Sequence, residues 1–179
     1  MVDPRTTRRL AHWALFLLLT AVTMFLRLLP INPMTDGIPG PDLMLAFTFV
    51  WLLRRPDYIP AWLIVTVFFL GDLVYWRPVG LWPLIVLLGT EFLRGRAPRS
   101  RSLPMAAELA MVGSVMLAML LVNRLILALA LVEQPSLGLE LLRFVITLMA
   151  YPFVAAFSRL AFGLRRPVPG EAAGYGRRL

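Results

Sequence analysis

Arg27, Asp42, Asp72, Arg124 and Arg143 are ionisable residues within or beside otherwise apolar stretches of the chain. Opposite charges in such places can do two things. They can pair and tie helices together through charge-assisted hydrogen bonds. They can also line a polar cavity that accepts a ligand or a partner's helix. Asp72 poses the question most sharply, because it interrupts the run FFLGDLVYWRPVG, Phe68 to Gly80. Other chemistries lack their parts. There is no cysteine, which removes thiolate metal sites, disulfides and thiol nucleophiles. The lone histidine, His12, stands where the first apolar stretch begins and reads as an interfacial residue. No His-Glu-x-x-His motif occurs. Gly170, Gly174 and Gly176 follow no strand and open no helix, so they form no phosphate loop. Asp72 as a lone base has no companions that specify a reaction. The expectation is a non-enzymatic chain with no catalytic, cofactor-binding or metal-ligating set.

Composition names the solvent. The 179 residues are 59% hydrophobic, against about 45–50% apolar in soluble domains. Mean hydropathy is +0.76. The net charge is +8, and every basic residue is arginine. A small basic chain suits nucleic acid or a membrane, and the apolar fraction favours the lipid bilayer, with no nucleic acid expected.

A membrane span takes about 20 mostly apolar residues. The chain divides into six such stretches, at about 10–29, 41–53, 60–76, 79–93, 104–132 and 137–164. The first follows Arg5, Arg8 and Arg9. It is too long for a signal-peptide core, and no cleavage site follows it, so it reads as an uncleaved span. A loop of Pro30, Pro33, Gly37, Pro39, Gly40 and Pro41 comes next. The second stretch is too short to cross lipid unaided, which is tolerable where protein surrounds its ends. Pro56 and Pro60 separate the second and third stretches. Arg77, Pro78 and Gly80 form a tight turn between the third and fourth. Arg94 to Ser102 reads as a basic loop, and residues 165–179 as a basic, disordered cytoplasmic tail. The expected fold is one all-α, six-span integral membrane domain over residues 1–164.

Arginines set the orientation. Those at Arg5–Arg9, Arg54–Arg55, Arg94–Arg101 and Arg165–Arg178 fall on one side, and the opposite loops hold Arg77. Both termini are therefore expected in the cytoplasm. At about 1.5 Å per residue, Asp72 lies about 18 Å above Pro60, past the midplane. Arg27, Asp42, Arg124 and Arg143 fall at similar depth, as a candidate pocket or charge network. Glu91 and Glu108 flank the Arg94 segment and read as snorkelling partners for nearby arginines. Ala106, Ala110, Ser114 and Ala118 form a small-residue stripe, for packing inside the bundle or against another protein.

The segment Leu43 to Leu93 carries a recognisable order of motifs. Pro41 opens a short span, and Trp51 and Leu53 precede Arg54-Arg55-Pro56-Asp57. Tyr58 and Pro60 follow, then Gly71-Asp72-Leu73, then Arg77-Pro78-x-Gly80-Leu81-Trp82. This order resembles the rod shape-determining MreD family, in its alphaproteobacterial form. The resemblance covers about fifty residues closely, and its motif positions are Arg55, Pro56, Asp57, Pro60, Gly71, Asp72, Pro78 and Gly80. It implies a multi-pass bacterial inner-membrane component of the cell-elongation and peptidoglycan-synthesis complex. The implied partners are MreC, the MreB filament, RodA and an elongation-specific penicillin-binding protein. It also implies a fold similar to the substrate-binding subunits of energy-coupling-factor transporters, six helices around an outward pocket. Two alternatives follow: a solute-binding subunit of a vitamin-type transporter, or a protein that binds or flips lipid intermediates. Leu18 stands four residues after Ala14, so the Ala-x-x-x-Ala pattern of those transporter subunits is missing from the first span.

Overall fold

Prolines mark several of the helix starts. Pro60 and Pro104 are the N-cap residues of the helices that follow them, and Pro56 opens a short 3₁₀ turn; a fixed φ and a missing N–H cost nothing there. The computed structural model describes residues 4–29, 39–100 and 104–162. Among them are six α-helices: α1 (Pro4–Leu28), α2 (Leu43–Arg54), α3 (Ala61–Val74), α4 (Leu81–Ser100), α5 (Met105–Leu129) and α6 (Leu137–Phe162). The 3₁₀ turn Pro56–Tyr58 joins α2 to α3. The described residues contain no strand. Three helical stretches, Arg9–Leu28, Met105–Leu129 and Leu137–Ala161, are long and apolar enough to cross a bilayer. They mark the chain as an all-helical membrane protein. The expected tail at 165–179 and most of the Pro30–Pro41 loop lie outside the described residues.

α2 is the centre of the bundle. It packs against α1, α4 and α6, and all of its residues but Leu43 are buried. Its twelve residues span about 18 Å, well short of a ~30 Å hydrocarbon core. Both ends are covered by protein instead, since Asp42 and Arg54 are buried. Two hydrogen bonds pin α2 to α6. The Asp42 N–H donates to Thr147 Oγ1 at 2.9 Å, and Trp51 Nε1 donates to Ser158 Oγ at 3.3 Å. Around this axis, α3 packs on α1 and α4, α4 on α5, and α5 on α6. The helices alternate in direction, so α2, α4 and α6 begin at one end of the bundle, where α1, α3 and α5 finish. That end holds the pocket described below.

One expectation needs correcting. The segment from Arg94, read as a loop, continues α4 as far as Ser100, with Pro98 inside the helix. The reason is packing. Leu93 and Ala97 are fully buried, and the Arg94 guanidinium donates to Pro56 O at 3.0 Å and Ile59 O at 2.8 Å. The last turns of α4 are therefore held on the α2–α3 connector. The stripe on α5 also resolves. Ala106, Ala110, Ser114 and Ala118 are all exposed, while Glu108, Val112, Val115, Met116 and Met119 face inward.

α3 and α5 end alike. Trp76 and Leu131 adopt left-handed φ values of 53° and 55°. The Arg77 N–H then reaches back to Asp72 O at 3.1 Å, and the Val132 N–H to Leu127 O at 3.0 Å. This is the six-to-one bond of a Schellman ending, a position usually given to glycine. Both side chains are almost wholly exposed, at 96% and 92%.

Candidate functional site

The pocket has a volume of about 390 Å³. α2 contributes Asp42 and Leu45, and the α3–α4 turn contributes Trp76, Arg77 and Pro78. Leu81 and Trp82 come from α4, Met116, Leu120 and Asn123 from α5, and Glu140, Arg143, Phe144 and Thr147 from α6. Its floor is apolar and its upper wall carries charge.

The charged residues take distinct places. Asp42 is the N-cap of α2, its Oδ1 accepting from the Leu45 N–H at 3.1 Å. Such a bond satisfies one of the four amides that a helix start leaves without partners. Arg124 ties the α5–α6 connection. Its Nη1 lies 2.7 Å from Glu140 Oε2 and donates to Pro135 O at 3.1 Å. The Gln134 amide donates in turn to Arg124 O at 3.2 Å. Arg27, from α1, does not line the pocket. Its guanidinium lies 4.4 Å from the centre of the Tyr75 ring. Arg143 lines the pocket, and its Nε is buried without a hydrogen-bond partner.

Asp72 answers the question its sequence raises. It is 1% exposed, and its Oδ2 accepts from the Gly80 N–H at 3.1 Å. The Trp82 backbone N–H and the Arg77 guanidinium also act on this carboxylate. The carboxylate therefore caps the start of α4 from across the hairpin, where helix amides present partial positive charge. Gly80, with φ of 92°, turns the chain so that its N–H meets Asp72. Among the described residues Asp72 makes no ion pair. Gly71, one residue earlier, sits at a close approach: a Cβ there would lie 3.3 Å from the methyl carbons of both Met24 and Met44. Asp72→Ala is expected to lower stability by about 1–2 kcal/mol, the usual cost of a lost cap. Asp72→Asn keeps an acceptor and should cost less. Thermal unfolding in detergent measures both. Recovery of Asp72→Ala by an apolar replacement of Arg27, Arg124 or Arg143 would contradict the capping role.

Arg77 and Trp82 are the pocket residues that charge-counting alone passes over. Arg77 lies outside the helices, 5.6 Å from the Tyr75 ring centre and 5.7 Å from that of Trp82. Burial pushes its guanidinium below the usual value; Asp42 opposes that shift and Arg27 adds to it. The signal was in the Arg-Pro-x-Gly-Leu-Trp order, since a turn that tight brings its arginine back over the tryptophan.

The opposite end uses its charges to hold the connector. Glu91 pairs with Arg94 at 3.0 Å. The Arg55 N–H closes α2 on Trp51 O at 2.8 Å, and His12 stacks on Tyr58 with ring centres 4.1 Å apart. Glu108 departs from its expected place. It is 1% exposed rather than at the surface, and accepts from the Tyr151 hydroxyl at 2.6 Å. No family model, no curated protein and no solved structure matches the chain.

Proposed function

We propose that the chain is a six-span, non-enzymatic scaffold of the bacterial inner membrane, with both termini cytoplasmic and the pocket end facing outward. In this reading it acts as MreD-like proteins do: it binds MreC and helps gather MreB, RodA and the elongation-specific penicillin-binding protein. The motif order between Leu43 and Leu93 supports the family. In the structure these residues serve the fold. Arg55 and Pro56 end α2 and start the connector, and Asp72 and Gly80 close the α3–α4 hairpin.

The observation that carries a partner-binding role is the outer face of α5. Ala106, Ala110, Ser114 and Ala118 are exposed along it, for about 18 Å of helix. Ser114 and Ala118 line a groove of about 250 Å³, with Gly89 and Phe92 of α4 on its other bank. Small residues let a second helix backbone approach closely within lipid. Ala110→Leu and Ser114→Leu change exposed positions, so folding stability should move by no more than about 0.5 kcal/mol. Co-purification of MreC in mild detergent should nevertheless be lost, and a rod-shaped host should become round. Full MreC recovery with both variants would reject this face as the partner surface.

A second reading, a solute-binding subunit of a vitamin-type transporter, draws on the pocket itself. It predicts that removing the chain abolishes uptake of a small solute and leaves cell shape unchanged.

A further inference from the structure

The pocket gathers three helix starts and two arginines beside three carboxylates, Asp42, Glu133 and Glu140. α2, α4 and α6 all begin at this end, with Asp42 at the N-cap of α2, Trp82 in the first turn of α4 and Glu140 in the first turn of α6 on its lining. Helix starts carry partial positive charge and favour anions. The nearby carboxylates each hold a partner: Asp42 the Leu45 N–H, Asp72 the Gly80 N–H through Oδ2 while its Oδ1 is buried without one, and Glu140 the Arg124 guanidinium. Glu133 borders the pocket but is exposed, so water screens its charge. Arg77 and Arg143 both line the pocket; among the described residues neither lies within ion-pair distance of a carboxylate, and Asp42 acts on both from farther away.

Two lining side chains also have buried atoms without hydrogen-bond partners, Arg143 Nε and Trp82 Nε1. Buried polar groups are nearly always hydrogen-bonded in stable proteins. Both of these atoms are donors, so the group that satisfies them must be rich in acceptors. The floor beneath them is apolar, formed by Met116, Leu120 and Phe144. The volume of about 390 Å³ is within the usual range of small-ligand sites, about 300–1,000 Å³.

We infer that this pocket binds a phosphate ester, carried on the head of an amphiphile whose apolar portion enters toward Leu120 and Phe144. Arg143 and Arg77 contact the phosphate oxygens, since a guanidinium fork matches that geometry, and the Trp82 indole N–H donates a further bond. The site is separate from the outer face of α5, so its test is independent of MreC binding.

The test uses the full chain in an uncharged detergent, with native mass spectrometry and thermal unfolding as readouts. Three probes are titrated: dihexanoyl phosphatidic acid, inorganic phosphate, and dihexanoylglycerol, which has the same tails and no phosphate. Phosphatidic acid should bind and raise the unfolding midpoint, and dihexanoylglycerol should do neither. Weaker binding of inorganic phosphate assigns the site to a lipid headgroup; equal binding assigns it to free phosphate and overturns the amphiphile part. Arg143→Gln and Arg77→Gln should each weaken phosphatidic acid binding about tenfold or more, the loss of a charged hydrogen bond. Arg96→Gln removes the same charge at the other end of the bundle and should leave binding unchanged. If Arg143→Gln fails to fold, Trp82→Phe removes only the indole donor and should still weaken binding. Equal retention of phosphatidic acid and dihexanoylglycerol overturns the inference, as does wild-type affinity in Arg143→Gln or Trp82→Phe. Failure of all three probes, with the pocket protected only when a partner polypeptide is bound, overturns it too.

Discussion

Trp51→Ala is expected to lower folding stability by about 3–5 kcal/mol, the range for removing a buried aromatic side chain. Trp51 is 1% exposed in the enclosed helix α2. It joins three elements at once. Its indole N–H donates to Ser158 Oγ on α6, and its ring meets Phe16 and His12 of α1 at centre distances of 5.8 and 6.5 Å. Truncation therefore opens a cavity at the bundle axis and leaves the Ser158 hydroxyl without that donor. Ser158→Ala isolates the polar part, at about 1 kcal/mol. Phe153→Ala is the matched control. Phe153 is largely exposed on α6, so its loss should cost no more than about 0.5 kcal/mol. Thermal unfolding in detergent, followed by circular dichroism, separates the three. Equal loss in Trp51→Ala and Phe153→Ala would contradict the central placement of α2.

Tyr151→Phe should cost about 1–3 kcal/mol, the range for leaving a buried hydrogen-bonding group without its partner. The Tyr151 hydroxyl donates to Glu108 Oε1 at 2.6 Å, and both residues are almost fully buried. The phenyl ring keeps the packing, so the loss reports on the hydroxyl alone. Glu108→Gln preserves an acceptor and should be milder than Glu108→Leu. In a double-mutant cycle with Tyr151→Phe, Glu108→Leu should show coupling well above additivity, as contacting buried residues do. Additive losses would mean that the contact joining α5 and α6 contributes nothing of its own.

The helices were legible because lipid imposes a simple rule: a stretch long and apolar enough must fold on itself. α1, α5 and α6 follow it directly. The extension of α4 was not legible, because Arg94 to Ser100 is charged and contains Pro98. What keeps it helical is tertiary, the burial of Ala97 and the grip of Arg94 on the connector carbonyls. Asp72 shows a different limit. Opposite charges in a sequence suggest ion pairs, yet a carboxylate is equally well served by backbone amides at a helix start. That partner, the Gly80 N–H, carries no side-chain signal. It depends on the φ of Gly80 and the tight turn through Pro78. The α5 stripe shows a third. A repeat of four defines a face without saying what that face meets. The inward face was set by its neighbours Val112, Val115 and Met119.

In the proposed arrangement, six spans place the pocket end outside and the Arg94 end inside. The chain has no cysteine, so any single cysteine introduced into it is unique. Trp76→Cys and Leu131→Cys put a thiol on the two most exposed turns of the pocket end, and Arg96→Cys puts one on an exposed position at the other. A membrane-impermeant maleimide applied to intact spheroplasts should label Trp76→Cys and Leu131→Cys, and should label Arg96→Cys only after the membrane is permeabilised. Labelling of Arg96→Cys in intact spheroplasts, or protection of either pocket-end thiol, would contradict the six-span arrangement.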